Sequence, residues 1–475
     1  MGLLQIGASI LAALLVGLLA RGGQSPLRTY LLLALSVLAV YWFQPIVPLR
    51  SFDFWLPSVS LALTLLTWSL ISQSGAWRTR QNINGLMIIV GLATVIDLSR
   101  YFLADPLITA TTPPQFTQYL FFVVLVAAIL SAIWLSHRST GMIIATIILL
   151  IVILIVLKTP VLSLQASILF RTLANRPSAS ATAFDLRWLG ISYIAFRLIH
   201  VMRDKQMGRL PELTLPQFAT YVVFFSSLTA GPIDRAERFA QDLRKDFALT
   251  QVETLLGGRR IALGLLKKFV IADALALIAL NDALAVQVRT TGWMWIILYA
   301  YTFQIYFDFS GYTDIAIGTA YLTGIRLPEN FAAPYLRPNL AQFWNSWHMT
   351  LTQWFRSYFF NPFNRWIRRY KNIPTWAMIL IGQVATMLLI GLWHGITLNF
   401  IFWGLWHGLG LFLQNRWSDF VRVHYPNLEE NPRIQSALQI GGVLFTFHFV
   451  ALGWIFFALS QPALSWQVFM TLFGL

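Results

Sequence analysis

The chain has 475 residues, of which 57% are hydrophobic and only 11% are charged. A soluble domain usually carries roughly 25% charged residues, and its core cannot bury so much apolar side chain. The composition therefore excludes an ordinary soluble protein. The apolar residues also form long runs, such as Ile144 to Leu157, which indicates an integral membrane protein because ~20 mostly apolar residues cross a bilayer as a helix.

The net charge of +15 is concentrated in short loops between these runs. Cytoplasmic loops are enriched in Lys and Arg, so membrane topology explains the charge and no nucleic-acid partner is expected. A basic cytoplasmic face would also attract an anionic donor such as coenzyme A or an acidic carrier protein. The predicted cytoplasmic clusters, which place the N-terminus outside, are Arg21 with Arg28, Arg78 with Arg80, 203–209, 235–245 and 365–371.

Apolar runs along the chain predict about ten to thirteen transmembrane or re-entrant helices, by the ~20-residue criterion. Met1 to Ala20 lacks a basic start and a small-residue cleavage site, so it is predicted to be a retained span. The other runs are 30–47, 54–71, 86–103, 119–135, 142–157, 188–202, 219–228, 261–280, 293–307, 376–393, 399–413 and 440–459.

Two longer polar stretches, Arg203 to Arg260 and Pro328 to Pro374, are expected to be soluble-facing or re-entrant. The simplest organisation is one membrane domain over residues 1–475. Its predicted parts are N-terminal spans at 1–187, a catalytic core at 188–413, and a C-terminal loop and span at 414–475.

Several kinds of chemistry lack the residues they need. The chain contains no cysteine, which excludes disulfides, thiolate metal sites and a cysteine nucleophile. It also lacks a G-x-S-x-G elbow, an H-E-x-x-H zinc signature and a Walker A loop, so serine hydrolysis, metalloproteolysis and nucleotide-driven pumping are not supported. No metal site and no bound cofactor are predicted.

Intramembrane carboxylates mark the run that begins at Tyr301. Gln304 and Asp308 lie one helical turn apart in an aromatic span, and Asp314 follows Gly311. Ionisable groups at membrane depth are costly and usually face a cavity or a partner. Asp308 and Asp314 are therefore either parts of a polar cavity or anchors of a glycine-containing turn, and the residues alone favour the structural role.

Leu340 to Phe360 shows a helical period of aromatic and apolar residues, with a second, polar stripe beside it. The polar stripe contains Asn345, His348, Thr352 and Arg356. A lone histidine in such a place is more often a structural hydrogen-bonder than a catalyst. Flanking prolines predict short, broken elements of the kind that line a cavity; they are Pro328, Pro334, Pro338 and Pro362.

A third candidate is the sequence Gly391-Leu-Trp-His394-Gly395 at the end of an apolar run. Histidine is suited to general-base chemistry near neutral pH. The two glycines either leave space for a substrate or only permit close helix packing. The packing alternative is stronger around His407, where Gly404 and Gly408 have G-x-x-x-G spacing.

These motifs occur in a fixed order that resembles the membrane-bound O-acyltransferase family. The similarity is to its bacterial branch, which includes proteins of alginate O-acetylation and teichoic acid D-alanylation, and it covers about Trp188 to Leu413. The motifs are Gly231-Pro-Ile233, Tyr306-Phe-Asp-Phe-Ser-Gly-Tyr-Thr-Asp314, Pro328-Glu-Asn-Phe331, Pro334-Tyr335, Phe343-Trp-Asn-Ser-Trp-His-Met-Thr-Leu351, Trp354-Phe-Arg356 and Gly391-Leu-Trp-His-Gly395.

The resemblance implies an all-α membrane fold in which a ring of tilted helices surrounds a thin core with a tunnel. It implies that His394 is the catalytic general base and that His348 is a second catalytic residue, which holds the donor or stabilises negative charge on the carbonyl oxygen. Substrate-binding or tunnel-lining roles would fall to Asp308, Asn345, Trp347, Arg356, Trp393 and Asn399.

The implied function is O-acetyl transfer across the membrane onto an extracellular or cell-wall polysaccharide. The acyl donor would be acetyl-CoA or an acyl carrier protein thioester at the cytoplasmic side. The other expected partners are the lipid bilayer and an extracytoplasmic acetyltransferase or the polysaccharide acceptor itself. The expected location is the inner or plasma membrane, crossed many times.

Three alternatives remain open at this stage. Within the same class, the chain could transfer D-alanyl groups to teichoic acid from a carrier protein. From another class, it could be a transporter or flippase, since broken helices and midplane polar residues are also transporter features. A transporter would not require His348 and His394 to converge on one point. An inactive scaffold is the third alternative, and the presence of both histidines argues modestly against it.

Overall fold

The computed structural model describes residues 2–20, 26–73, 75–136, 139–370, 372–426 and 431–475. Every regular element within these ranges is helical, which confirms the predicted all-α class. Two residues of the predicted basic clusters, Arg21 and Lys371, lie outside the described residues.

The helices of the first half, in chain order, are α1 (Leu3–Leu19), α2 (Leu27–Trp42), α3 (Phe52–Ile71), α4 (Arg80–Leu98), α5 (Phe116–Leu135), α6 (Thr140–Lys158), α7 (Pro160–Leu173), α8 (Ile191–Gln206), α9 (Leu215–Val222), α10 (Ala236–Arg244) and α11 (Gln251–Leu265). A π-helical segment, Leu266–Ala272, continues α11.

The helices of the second half are α12 (Asp273–Ala276), α13 (Asp282–Gln287), α14 (Thr291–Tyr321), α15 (Leu340–Trp344), α16 (Met349–Phe355), α17 (Asn361–Ile367), α18 (Thr375–His394), α19 (Leu398–His424), α20 (Pro432–Ala458) and α21 (Pro462–Leu472). A second π-helical segment, Arg356–Phe360, connects α16 to α17.

Six helices in the described part of the chain are long and apolar enough to cross a membrane, namely α3, α4 with its continuation to Tyr101, α5, α6, α18 and α20. Most side chains of α5 and α6 are not buried by the protein. Helices that are apolar on every side and yet exposed are suited to hydrocarbon, not to water. The total of ten to thirteen spans and re-entrant helices stays a prediction.

Helix α7 lies where no apolar run was predicted. Its buried residues Ser163, Ser167 and Arg171 form a polar stripe at four-residue spacing, while its apolar residues are exposed. Ser167 and Arg171 bind the buried carboxylate of Asp185 at 2.6 and 2.8 Å. An amphipathic helix of a soluble protein buries its apolar side chains and exposes its polar ones, and α7 does the opposite. The polar residues interrupt the apolar run in the sequence, so the run was too short to predict a helix here.

The residues form two compact units. One contains Met1–Ile261 and Ile315–Pro328, and the other contains Ala262–Asp314 and Glu329–Leu475. Both candidate histidines and all the other candidate site residues belong to the second unit. In that unit α18 and α19 pack along each other as a helical hairpin. The division into 1–187, 188–413 and 414–475 stays a prediction.

Candidate functional site

The two intramembrane carboxylates lie inside one continuous helix, α14. The predicted turn at Gly311 is therefore wrong. A Cβ at Gly311 would lie 2.8 Å from the carbonyl oxygen of Gly264, so this glycine lets two helical segments approach closely. The carboxylates form ion pairs across this contact, Asp314 with Lys267 at 2.6 Å and Asp308 with Lys268.

The two ion pairs differ in burial, and this difference predicts different effects of neutralisation. The Asp314 side chain is 9% exposed, whereas that of Asp308 is 50% exposed. Asp314→Asn is expected to lower the free energy of unfolding by about 3 kcal/mol, because it neutralises the more buried of the two carboxylates and leaves the Lys267 ammonium, whose side chain is 27% exposed, without its charge partner. Asp308→Asn is expected to cost less than about 1 kcal/mol, because the half-exposed carboxylate gains less from its ion pair with Lys268.

The measurement is thermal unfolding of both purified variants in the same detergent. Equal destabilisation would show that burial does not distinguish the two pairs. A loss of stability confined to Asp308→Asn would contradict the assignment of Asp314 as the main structural carboxylate.

The segment from Leu340 to Phe360 is broken, and the prediction of an uninterrupted helical period is wrong. Helix α15 ends at Trp344 and α16 begins at Met349. Between them His348 has a φ of 41° and lies in the left-handed region. The break is stabilised from outside the segment, since the Met349 N–H donates to the carbonyl oxygen of Asn330 at 2.9 Å. The broken elements predicted from the prolines are confirmed.

His348 is buried, with 4% of its surface exposed. Its ring packs edge-on against Phe309, with centroids 4.7 Å apart, and it contacts Trp393 at 6.4 Å. The Nδ1 atom lies 3.3 Å from Oδ1 of Asn330. The direction of this imidazole is therefore set by the left-handed backbone of His348, by the neighbouring aromatic rings and by the side-chain amide of Asn330.

His394 is the last residue of α18 and is enclosed by aromatic rings from three helices. Its ring centroid lies 4.5 Å from that of Trp393, 4.8 Å from Phe457, 5.8 Å from Trp403 and 5.9 Å from Phe400. Aromatic walls exclude water and keep the local dielectric low, which strengthens interactions of an imidazole with a bound polar group.

The Trp393 ring contacts both His348 and His394. The two imidazoles therefore lie on one indole and not at opposite ends of the unit. This is the convergence that distinguishes acyl-transfer chemistry from a permeation path lined by separated polar residues. Two neighbouring imidazoles between apolar walls can move a proton and orient a polar substrate.

The glycines around His394 serve helix packing and do not open space for a substrate. A Cβ at Gly391 would overlap the carbonyl oxygen of Phe400, and one at Gly395 would lie 2.8 Å from the Phe400 ring. Gly404 and Gly408 would each place a Cβ 2.8 Å from a Cα atom of α18. The alternative of close packing thus holds for all four.

The remaining predicted site residues occupy different surroundings. Trp347 is buried among rings that include Phe331 at 5.2 Å and Trp454 at 5.0 Å. Arg356 donates to the Asn345 amide oxygen at an exposed position. Asn399 is buried and donates to the Leu459 carbonyl oxygen at 2.7 Å. Of the predicted set, Trp393 is the residue that contacts both histidines.

His407 is buried beside the site and packs against four aromatic rings. Its centroid lies 4.9 Å from Trp403 and 5.1 Å from Trp344. A Cβ at Gly453 would lie 2.8 Å from its Nε2 atom, so the imidazole fills the space that this glycine leaves. The contacts of His407 are those of a packing residue.

Several residues of the site were missed from sequence. Asn330 lies in the motif Pro328-Glu-Asn-Phe331, but the sequence alone assigns it no role. Its signal is weak, since it is an uncharged polar residue between Pro328 and Pro334. Lys267 and Lys268 had a clearer signal, because they interrupt the apolar run 261–280 and match the two intramembrane carboxylates in number. The aromatic partners of His394 carried no distinguishing signal in a sequence so rich in aromatic residues.

Metal ligation is not indicated by the geometry. Within the described ranges, no group of three or more His, Asp or Glu side chains is placed so that it could hold a metal ion.

Comparison with known proteins identifies the family of this chain. The model of the membrane-bound O-acyltransferase family matches residues 28–460, a longer region than the motifs between Trp188 and Leu413 indicated. The teichoic acid D-alanyltransferase of Bacillus subtilis is 34% identical over 277 residues, covering 58% of this chain and 69% of that protein. The corresponding enzyme of Streptococcus thermophilus is 30% identical, over 59% of this chain and 71% of its own.

A probable alginate O-acetylase, AlgI of Pseudomonas aeruginosa, is 33% identical over 287 residues. This match covers 60% of the chain and 51% of that relative, so the chain corresponds to about half the length of the alginate O-acetylase. The family match extends over most of the sequence and includes every element that carries the two histidines. The chain belongs to the membrane-bound O-acyltransferase family and is an acyltransferase.

Proposed function

We propose that this acyltransferase moves an acetyl group from a thioester to a hydroxyl of an extracellular or cell-wall polysaccharide. The observation that carries the proposal is the position of His348 and His394 on the single indole of Trp393. The proposed location is the inner or plasma membrane. A donor such as acetyl-CoA or an acyl carrier protein thioester approaches from the cytoplasmic side, and the acceptor approaches through a tunnel from the other face.

In the proposed reaction, the imidazole of His394 accepts the proton of the acceptor hydroxyl while the hydroxyl oxygen bonds to the thioester carbonyl carbon. The carbon–sulfur bond then breaks, and the departing thiolate takes the proton from the His394 imidazolium. The products are an ester and a free thiol, and no covalent enzyme intermediate is needed. Holding both reactants between aromatic walls supplies proximity and excludes water, which would otherwise hydrolyse the thioester.

D-alanyl transfer to teichoic acid is the second candidate. The observation that favours it is that the match covers 69% and 71% of two D-alanyltransferases, compared with 51% of an alginate O-acetylase. Sequence identity does not separate the two, since it is 34% for the first D-alanyltransferase and 33% for the alginate protein.

The test supplies both donors to membrane vesicles that contain the protein. One set receives labelled acetyl-CoA, the other receives labelled D-alanine as a carrier-protein thioester, and vesicles without the protein are the control. The expected result is base-labile acetyl label on envelope polysaccharide. Label from D-alanine alone would favour the second candidate, and no protein-dependent label from either donor would reject both.

The same experiment tests for an extracytoplasmic partner. In one form of the proposal, the acceptor hydroxyl belongs to such a partner, which then completes the transfer to the polysaccharide. Acetyl label on polysaccharide is then expected with native membranes and lost with the purified protein in liposomes. Full transfer by the purified protein would show that the chain acts directly on its acceptor.

A further inference from the structure

Asn330 makes an unusual set of contacts for a residue outside the two candidate catalytic positions. It is fully buried, and its Oδ1 atom receives the Thr350 N–H at 3.2 Å and the Thr350 hydroxyl at 2.7 Å. The same Oδ1 lies 3.3 Å from Nδ1 of His348. The Asn330 carbonyl oxygen also accepts from the Met349 N–H at 2.9 Å. One residue therefore binds three consecutive positions of the turn, 348–350.

These contacts fix the orientation of the Asn330 amide. A backbone N–H can only donate a hydrogen bond, so the side-chain atom that faces Thr350 must be the amide oxygen. An amide oxygen can only accept. The Nδ1 atom of His348, which faces the same oxygen, must therefore carry a proton.

The proton on Nδ1 determines what the other ring nitrogen can do. In a neutral imidazole one nitrogen is a donor and the other is an acceptor. With Nδ1 protonated, Nε2 of a neutral His348 carries the lone pair and can accept, but not donate, a hydrogen bond. It cannot then donate to a carbonyl oxygen that gains negative charge, which is a role that the family resemblance left open for His348.

We propose that Asn330 is a positioning residue that holds His348 as the Nδ1–H tautomer, so that Nε2 can accept a hydrogen bond from a hydroxyl of the acceptor other than the one that His394 deprotonates. This inference rests on the proposed function, since it assigns one histidine of the proposed pair to the hydroxyl-bearing substrate. Asn330 acts through His348 and also supports its left-handed backbone, where φ is 41°.

The direct test is the ¹⁵N NMR spectrum of protein labelled at histidine, in which the His348→Gln variant assigns the His348 signals. The expected spectrum has a protonated Nδ1 and an unprotonated Nε2. The reverse, Nε2–H tautomer would overturn the inference. This measurement uses the wild-type protein, so it does not depend on the folding of an Asn330 variant or on any activity.

A kinetic test compares Asn330→Ala with Thr350→Val in the labelled transfer assay. Asn330→Ala is expected to lower kcat roughly 10- to 100-fold, the usual effect of removing a partner that orients an imidazole, and to leave KM for the donor unchanged. Its NMR spectrum should lose the preference for Nδ1–H. Thr350→Val removes the other side-chain donor to the same oxygen and should retain both the tautomer and most of the activity.

The outcomes separate this inference from the proposed function. If His394→Ala loses transfer while Asn330→Ala keeps wild-type kcat, the positioning role is rejected and the proposed function stands. If the wild-type protein transfers no acyl group, the proposed function fails, and the tautomer seen by NMR still decides whether Asn330 orients His348. Equal losses of kcat in Asn330→Ala and Thr350→Val would indicate that Asn330 only stabilises the turn at 348–350, and would reject the positioning role.

Discussion

Replacing His394 by alanine is expected to reduce acyl transfer by at least ~100-fold, since general acid–base catalysis by a positioned side chain contributes roughly 10²- to 10⁴-fold. The imidazole lies at the end of α18 among Trp393, Phe400, Trp403 and Phe457. His348 is not expected to replace it, because the orientation of that imidazole is set by its contact with Asn330. The measurement is the rate of transfer of labelled acetyl into polysaccharide at equal protein levels.

His424→Ala is the matched control for this experiment. Like His394, His424 lies at the C-terminal end of a long helix, α19, but it is exposed and its Nδ1 atom contacts the Phe420 carbonyl oxygen. This variant should keep wild-type transfer. Unchanged transfer in His394→Ala, with both variants folded, would remove His394 from the mechanism and require another residue to act as the general base.

Replacing Gly391 by alanine is expected to destabilise the folded protein by at least about 1–3 kcal/mol, the range for an overpacked interior. The added Cβ would overlap the Phe400 carbonyl oxygen and lie 3.3 Å from the Trp403 ring. Because one of these neighbours is backbone, the α18–α19 hairpin would have to separate. The measurement is thermal unfolding in detergent together with the yield of monodisperse protein.

Gly441→Ala is the matched control for Gly391→Ala. Gly441 also lies inside a long helix, α20, but no atom lies within 4 Å of a Cβ built there. This variant should be neutral or slightly more stable, because alanine favours a helix over glycine by about 1 kcal/mol. Equal melting temperatures for the two variants would contradict the packing role of Gly391.

The sequence predicted long apolar helices better than it predicted the site. The first apolar run and α1 coincide, and the run ending at Trp393 corresponds to α18. The length and apolar composition of a segment determine whether it forms such a helix, and both can be read from that segment of the sequence alone. The order of the motifs also indicated the family, and the family model confirms that assignment over residues 28–460.

The errors arise where a distant residue decides the local conformation. The spacing of aromatic residues continues through residues 345–348, so it predicts one helix. The structure has a break there, which is stabilised by hydrogen bonds that oxygen atoms of Asn330 accept. Gly311 alone suggests a turn, because the segment it packs against, from Gly264 to Lys268, is far away in sequence. The contacts of Asn330 with the turn and of Gly311 with its partner segment produce no periodic pattern in the neighbouring sequence, so they could not be predicted from it.

The backbone of His348 has a consequence for how this position varies between relatives. A left-handed conformation costs a residue with a side chain roughly 1–2 kcal/mol, whereas glycine adopts it freely and asparagine often tolerates it. A chain selected for thermal stability alone would therefore favour glycine or asparagine at position 348. An imidazole retained there would reflect selection for its chemistry, so relatives that have lost activity should be the first to replace it.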